Sequence, residues 1–212
     1  MLAKMSLPSL EEIDAMMRSG ALASESRKLT TEERAQAKED RKNRAQRNHI
    51  GEKGEAVFQG FLERKFKRDF RKSPVIPNPH GMGFYSTDVD LIGSLGSSSR
   101  SARCEIKTTR TKRIPFSSFN KNERRYMAKA IKNGEIAFVG LVWLDSSLDV
   151  VLMHAIPWSV IMDLERDMSQ LYGGKSLGKK DWKKLQSYAI LKENGRYVLP
   201  TEHWLTQYLI EG

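Results

Sequence analysis

Nine consecutive residues, Ile136 to Leu144, read Ile-Ala-Phe-Val-Gly-Leu-Val-Trp-Leu without a single polar side chain. A strand with one wet face alternates polar and apolar residues, so a run that is apolar at every step has to be covered on both faces. It is far short of the ~20 apolar residues that span a bilayer. Such a strand belongs in the interior of a sheet with a layer on either side, so the chain is expected to be α/β.

The flanking segments supply those layers. Gly51 to Phe66 places Ala56, Val57, Phe58, Phe61 and Leu62 on one face of a helix, suited to lying on a sheet. Pro74 to Gly83, broken by proline and glycine, reads as loop or short strand. Val89 to Ile92 and Ala102 to Thr108 read as strands joined by the turn-rich Gly93 to Ser101. Phe116 to Asn133 reads as a basic helix ended by Gly134. Leu148 to His154 reads as a further strand, and Trp158 to Glu165, Lys180 to Leu185 and Pro200 to Ile210 read as helices. This globular part covers 49–212. Ahead of it, 1–48 reads as a charged arm. One helix opens at Pro8 with Ser9 as its cap, and a second runs from Thr30-Thr31-Glu32-Glu33 to about Asn48. The second helix has almost no apolar stripe, so it is expected to pack weakly or to order on a partner.

The formal net charge is +10. Its location matters more than its size: between Arg100 and Asn133 eleven Lys/Arg face only Glu105 and Glu123. Charge this concentrated points to a polyanion, because neutralising phosphates releases their counterions. Arg110, Lys112, Arg113, Lys121, Arg124 and Arg125 are the expected phosphate contacts. Arg64, Lys65, Lys67, Arg68, Arg71 and Lys72 form a second basic run. The single cysteine, Cys104, allows no internal disulfide and fits a reducing, cytoplasmic compartment. No stretch approaches 18 apolar residues. The opening MLAKMSLPSLEEIDAMM carries Glu11, Glu12 and Asp14, so neither a membrane span nor a signal peptide is expected.

One constellation carries chemistry: Asp90, then Glu105-Ile106-Lys107. Side chains alternate along a strand, so Glu105 and Lys107 share a face while Ile106 turns to the core. Cys104, on the opposite face from Glu105, is expected to be buried. If the Val89–Ile92 strand pairs with this one, Asp90 sits beside Glu105. Two carboxylates and the Ile106 carbonyl then offer hard oxygen ligands suited to Mg²⁺. A lysine beside them can hold a water aimed at phosphorus, or help to deprotonate it.

The order of helix, strand hairpin, helix and strand around these residues resembles the PD-(D/E)xK nucleases, which have a restriction-endonuclease-like core. Within them it resembles the RecU-type Holliday-junction resolvases most closely. The likeness rests on Gly51-x-x-x-Glu55, on Cys104-Glu105-Ile106-Lys107-Thr108-Thr109, and on Ile114-Pro115-Phe116-Ser117-Ser118-Phe119. It continues through Tyr126-Met127, Gly134 to Val139, Ala155-Ile156-Pro157-Trp158 and Gly174-Lys175-Ser176-Leu177, about residues 50 to 190. It implies a central mixed sheet flanked by helices, with Asp90 and Glu105 as metal ligands, Lys107 orienting water and Glu55 as an auxiliary acid. The metal would be Mg²⁺, with Mn²⁺ as a substitute. Asp88 competes with Asp90, since Ser86-Thr87-Asp88 also resembles the family motif and the two acids share a strand face; both can contribute. The implied activity is hydrolysis of DNA, leaving a 5′-phosphate and a 3′-hydroxyl, on a four-way junction cut by a homodimer, with a recombination protein as a partner for the arm. Two other readings stay open: a restriction or repair nuclease acting on duplex or flapped DNA, and a DNA-binding protein that does not cut. The chain departs from the family twice. Glu123 stands where many members carry glutamine, and is read as a surface residue. The stretch from Ser73 to Tyr85 is shorter than the family's protruding stalk.

Other features read as structural. Gly173-Gly174-Lys175-Ser176 lacks the first glycine and the preceding strand of a phosphate loop. His49, His80, His154 and His203 show no zinc spacing. Trp143, Trp158, Trp182 and Trp204 are expected as core anchors.

Overall fold

A computed structural model describes residues 30–73, 76–77, 84–85, 89–96, 100–111, 113–172, 175–178, 181 and 184–209. The chain divides into two compact units, residues 1–44 and 45–212. Among the described residues no helix is long and apolar enough to cross a membrane.

The first long helix, α1, runs from Thr31 to Phe66. Thr30 and Glu33 close a reciprocal cap: Glu33 N–H donates to Thr30 Oγ1 (3.1 Å) and Thr30 N–H to Glu33 Oε2 (2.7 Å). Through residue 44 no side chain of α1 is buried, in line with a sequence lacking an apolar stripe. The sequence suggested two helices, breaking near Asn48; the structure has one. Nothing between Asn48 and Gly51 stops a helix, since glycine costs only about 1 kcal/mol there and no proline intervenes.

In the second unit seven strands form one sheet in the order β1-β4-β5-β7-β8-β10-β11. These strands are β1 (Arg71–Lys72), β4 (Leu91–Leu95), β5 (Arg100–Thr109), β7 (Ile136–Leu144), β8 (Val150–Pro157), β10 (Ala189–Glu193) and β11 (Arg196–Val198). β5 and β7 are parallel, and the other neighbours are antiparallel. Two small pairs lie outside it, β2 (Ile76–Pro77) with β3 (Phe84–Tyr85), and β6 (Arg113–Pro115) with β9 (Ser176–Gly178). Helix α2 (Lys121–Lys132) makes the crossover from β5 to β7, and α3 (Trp158–Tyr172) follows β8. The fold is a mixed central sheet flanked by helices, as expected.

β7 shows why its sequence is apolar throughout. Ile136, Phe138, Val142 and Leu144 join the core that contains Phe58, Phe61, Leu62 and Phe66 of α1. Ala137, Val139 and Leu141 join a second core with Met127 and Ala130 of α2 and with Trp158 and Ile161 of α3. Gly140 takes its place on the α1 face because the Phe58 ring fills the space: a Cβ there would lie 2.8 Å from the ring. Gly54 of α1 lies as closely on Thr108 of β5.

Some boundaries differ from the sequence reading. β8 begins at Val150, because Leu148 sits in a tight turn with φ 64°. The expected helix from Pro200 is a 3-10 turn, Trp204–Tyr208, with His203 Nδ1 accepting from Leu205 N–H (3.1 Å). Trp204 donates its indole N–H to Ala155 O (2.8 Å) and packs edge-on against Phe138. The first helix of the arm, the phosphate-loop look-alike glycines, His80 and Trp182 lie outside the described residues.

Candidate active site

The site forms where β4 begins beside β5. Leu91 pairs with Cys104, so the next step of the ladder sets Asp90 opposite Glu105. β4 begins only at Leu91, and the Asp90 side chain makes the pairing ahead of it: Ile106 N–H donates to Asp90 Oδ2 at 2.6 Å. Along β5, Ala102, Cys104 and Ile106 enter the core beneath α1. Arg103, Glu105 and Lys107 therefore face the α2 side. Cys104 is fully buried, as the alternation required.

Glu105 is a buried carboxylate, its side chain only 3 % exposed. Lys107 Nζ donates to Glu105 Oε1 (2.6 Å) and to Glu123 Oε2 (3.0 Å), and lies 5.4 Å from the centre of the Phe119 ring. Glu123, expected on the surface, is thus a member of the site. Its position comes from the start of α2. Asn120 Oδ1 caps the helix by accepting from Asn122 and Glu123 N–H, while Glu123 Oε2 accepts from Asn120 N–H (3.0 Å). One carboxylate oxygen closes the helix cap and holds the lysine. The pattern Asn120-x-x-Glu123 is a helix-start signature visible in the sequence, and it was the missed signal.

At the flank, Lys72 of β1 donates to Glu55 Oε2 of α1 (2.8 Å). Glu55 makes no direct bond to Asp90 or Glu105, but its negative charge acts on Asp90. Lys72, read in the sequence only as part of a basic run, is a second addition to the site.

The electrostatics are those of a cluster with surplus negative charge. Burial, and then the charge of Glu55, pushes Asp90 up to about 6, against the opposing Ile106 N–H and Lys107. Burial, and then the charge of Asp90, pushes Glu105 up to about 8, even though it is paired with Lys107. Burial alone would lower Lys107, but Glu105 and Glu123 together raise it, so its ammonium keeps its proton at neutral pH.

This donor set suits a hard divalent cation. Asp90 Oδ1 and Glu105 Oε2 accept no hydrogen bond from the described residues. The two carboxylates repel each other in a buried place, and a cation would relieve the repulsion. The Ile106 carbonyl leaves β5 on the side of its own N–H, towards Asp90. Among the described residues no three His, Cys, Asp or Glu side chains form a metal-holding group, so the set is two carboxylates and a carbonyl. Asp88, the other candidate ligand, lies outside the described residues.

The expected phosphate contacts divide. Arg113, Lys121 and Arg125 are exposed. Arg110 is also exposed, with one donor on Ser146 O (3.3 Å). Lys112 lies outside the described residues. Arg124 departs from the expectation: its guanidinium bonds Glu165 of α3 (2.6 and 3.0 Å) and the carbonyls of Phe116 (2.8 Å) and Phe119 (2.9 Å). With its donors engaged inside the fold, it ties α2 to α3 and has little left for DNA. His203 is buried and is structural, its Nε2 3.1 Å from Tyr188 O.

No family model matches the chain, and no curated protein does. Among solved structures the chain is similar to Hjc, a Holliday junction resolvase from the archaeal hyperthermophile Archaeoglobus fulgidus. The TM-score is 0.35 and the identity 16%, over 50% of this chain and 76% of that one.

Proposed function

We propose that this protein is a divalent-metal-dependent DNA endonuclease, and that its substrate is a four-way junction. The observation that carries the reading is the cluster itself: Asp90 and Glu105 abut in a buried place, with Lys107 clamped between Glu105 and Glu123.

Mg²⁺ would be held by Asp90, Glu105 and the Ile106 carbonyl, and would supply positive charge to the scissile phosphate and to the attacking water. Ile106 N–H fixes the Asp90 carboxylate by binding one of its oxygens. Lys107, kept protonated by two carboxylates, acts as a fixed donor that orients water and stabilises charge on phosphorus, rather than as a base. Glu123 positions Lys107. Glu55 and Lys72 form a neutral pair at the rim. Arg110, Arg113, Lys121 and Arg125 would meet phosphates on either side of the cut, fixing register without reading sequence.

Junction selectivity is the finer part of the proposal. Where RecU-type enzymes carry a stalk, this chain pairs two strands of two residues each, Ile76–Pro77 and Phe84–Tyr85. That short strand pair favours, as a second reading, a nuclease that takes duplex or flapped DNA. The test is a labelled immobile four-way junction beside linear duplex, flap and single-stranded controls, with and without Mg²⁺. Paired symmetric nicks on the junction alone support resolution. Equal cutting of the duplex removes the junction claim and keeps the nuclease.

A further inference from the structure

At the far side of the second unit, a cavity of about 640 Å³ is lined by Phe61, Arg64, Lys65, Gly195, Arg196 and Tyr197. With Val198 the lining residues are seven; three of them are cations, and none of the three has an ion-pair partner among the described residues. Arg64 and Arg196 are exposed, and Lys192 adds a fourth cation, its Nζ 5.9 Å from the centre of the Tyr197 ring. The floor is rigid: Phe61 is buried and meets Tyr197 edge-on at 6.5 Å. The wall is the β10–β11 turn, Asn194-Gly195, with φ 49° and 78°. That is the geometry of a tight two-residue hairpin. It leaves the Gly195 position open, with nothing among the described residues within 4 Å of where a Cβ would stand. The acids nearby are Glu193, which faces Arg196 across the β10–β11 ladder without an ion pair, Glu63, bonded to Gln59 (2.8 Å), and Asp149, which acts on Tyr197.

From this juxtaposition we infer that the cavity is a second phosphodiester-binding site, taking the backbone of DNA away from the bond being cut; this rests on the nuclease reading. Two arginine forks, a lysine and an open glycine backbone on a stiff hairpin suit phosphate oxygens. β11 lies four strands from β5 in the sheet. At about 4.8 Å per strand that is an offset of ~19 Å across the sheet, and Phe61 sets the cavity on the α1 face, the face opposite Glu105. A DNA arm that passes round the β11 edge of the sheet would be held at this second point.

The test uses the full chain and two probes, a labelled duplex and a four-way junction, with affinity measured from 50 to 200 mM salt without Mg²⁺. The variant is Arg64→Ala/Arg196→Ala. The control is Lys129→Ala/Lys132→Ala, which removes the same charge from α2. The site predicts a salt slope shallower by about 1 to 2 for the first variant and affinity roughly tenfold or more weaker at 0.1 M. The control should change the slope by less than half as much, and both should keep the parent's melting temperature and its cutting rate at saturating DNA. An unchanged slope, or an equal change in the control, overturns the site. Mg²⁺-dependent cutting by the parent is measured in parallel: slope loss with no cutting retains the site and rejects the nuclease, and cutting with no slope loss does the reverse.

Discussion

Replacing Gly54 by alanine probes the seat of the active site. A Cβ at this position would overlap Thr108 Oγ1 and stand 2.7 Å from Thr108 Cγ2 and 2.8 Å from its Cβ. Rotating Thr108 moves the first two atoms but not its Cβ. Relief therefore requires α1 to lift from β5 by roughly half an ångström, and overpacking of this kind costs about 1–3 kcal/mol. Alanine recovers about 1 kcal/mol through better helix propensity, so the net loss is about 0–2 kcal/mol. The partner side chain behaves unusually: Thr108 Oγ1 is buried and has no hydrogen-bond partner among the described residues. Thr108→Ala removes that unsatisfied hydroxyl from a half-buried side chain, so it is expected to be neutral or stabilising. In the double variant the Oγ1 and Cγ2 clashes vanish and only the Cβ contact stays. A double-mutant cycle in urea denaturation should then show favourable coupling of about 1 kcal/mol. Because Glu55 is the next residue on α1, Gly54→Ala should also slow DNA cutting, and Thr108→Ala should restore part of the rate. Additive effects within 0.3 kcal/mol would refute the idea that α1 is held against β5 at this contact.

The site carboxylates predict an unusual pH dependence of stability. Asp90 and Glu105 titrate near 3.8 and 4.5 when unfolded and about 6 and 8 when folded. Between about pH 4 and pH 8 the folded state thus holds protons that the unfolded state has released. Metal-free protein should lose stability, on the order of a few kcal/mol, as pH rises through that window. Glu105→Gln should flatten the profile in thermal melts, and added Mg²⁺ should restore the melting temperature of the parent at pH 8 but not that of the variant. Glu123→Gln removes one of the two carboxylates that raise Lys107. It should slow cutting about tenfold or more and move the alkaline limb of the rate profile to lower pH, with DNA affinity unchanged. Arg124→Ala should cost about 1–3 kcal/mol of stability by leaving Glu165 and two carbonyls unpartnered, with DNA affinity little altered. Affinity falling while stability holds would return Arg124 to the phosphate-contacting set.

The parts of the fold that could be read from the sequence are those where periodicity is set by burial. Ile136 to Leu144 is β7 to the residue, because both of its faces are core. The Glu105-Ile106-Lys107 alternation placed the carboxylate and lysine on one face, because a strand leaves no other choice. Asp90 was expected within a strand and stands one residue before it, where a side chain can replace the missing backbone partner of Ile106. β10 and β11 were not anticipated, although Asn194-Gly195 is a hairpin signal; the short flanking strands gave it too little apolar context. Glu123 and Lys72 escaped for a different reason. Each acts through a partner far away in sequence, Lys107 and Glu55, and a surface-looking charge gives no hint of such a partner until the fold brings the two together.

The central claim is that Asp90, Glu105 and Lys107 form a metal-dependent DNA-cutting site. The direct test is cutting of a labelled four-way junction by the parent, Asp90→Asn and Lys107→Ala, each with and without Mg²⁺, alongside the affinity of each for the same DNA. The account predicts Mg²⁺-dependent cutting by the parent and its loss in both variants, with affinity kept. Binding without cutting by the parent in Mg²⁺ or Mn²⁺, or cutting that survives in Asp90→Asn, would contradict it.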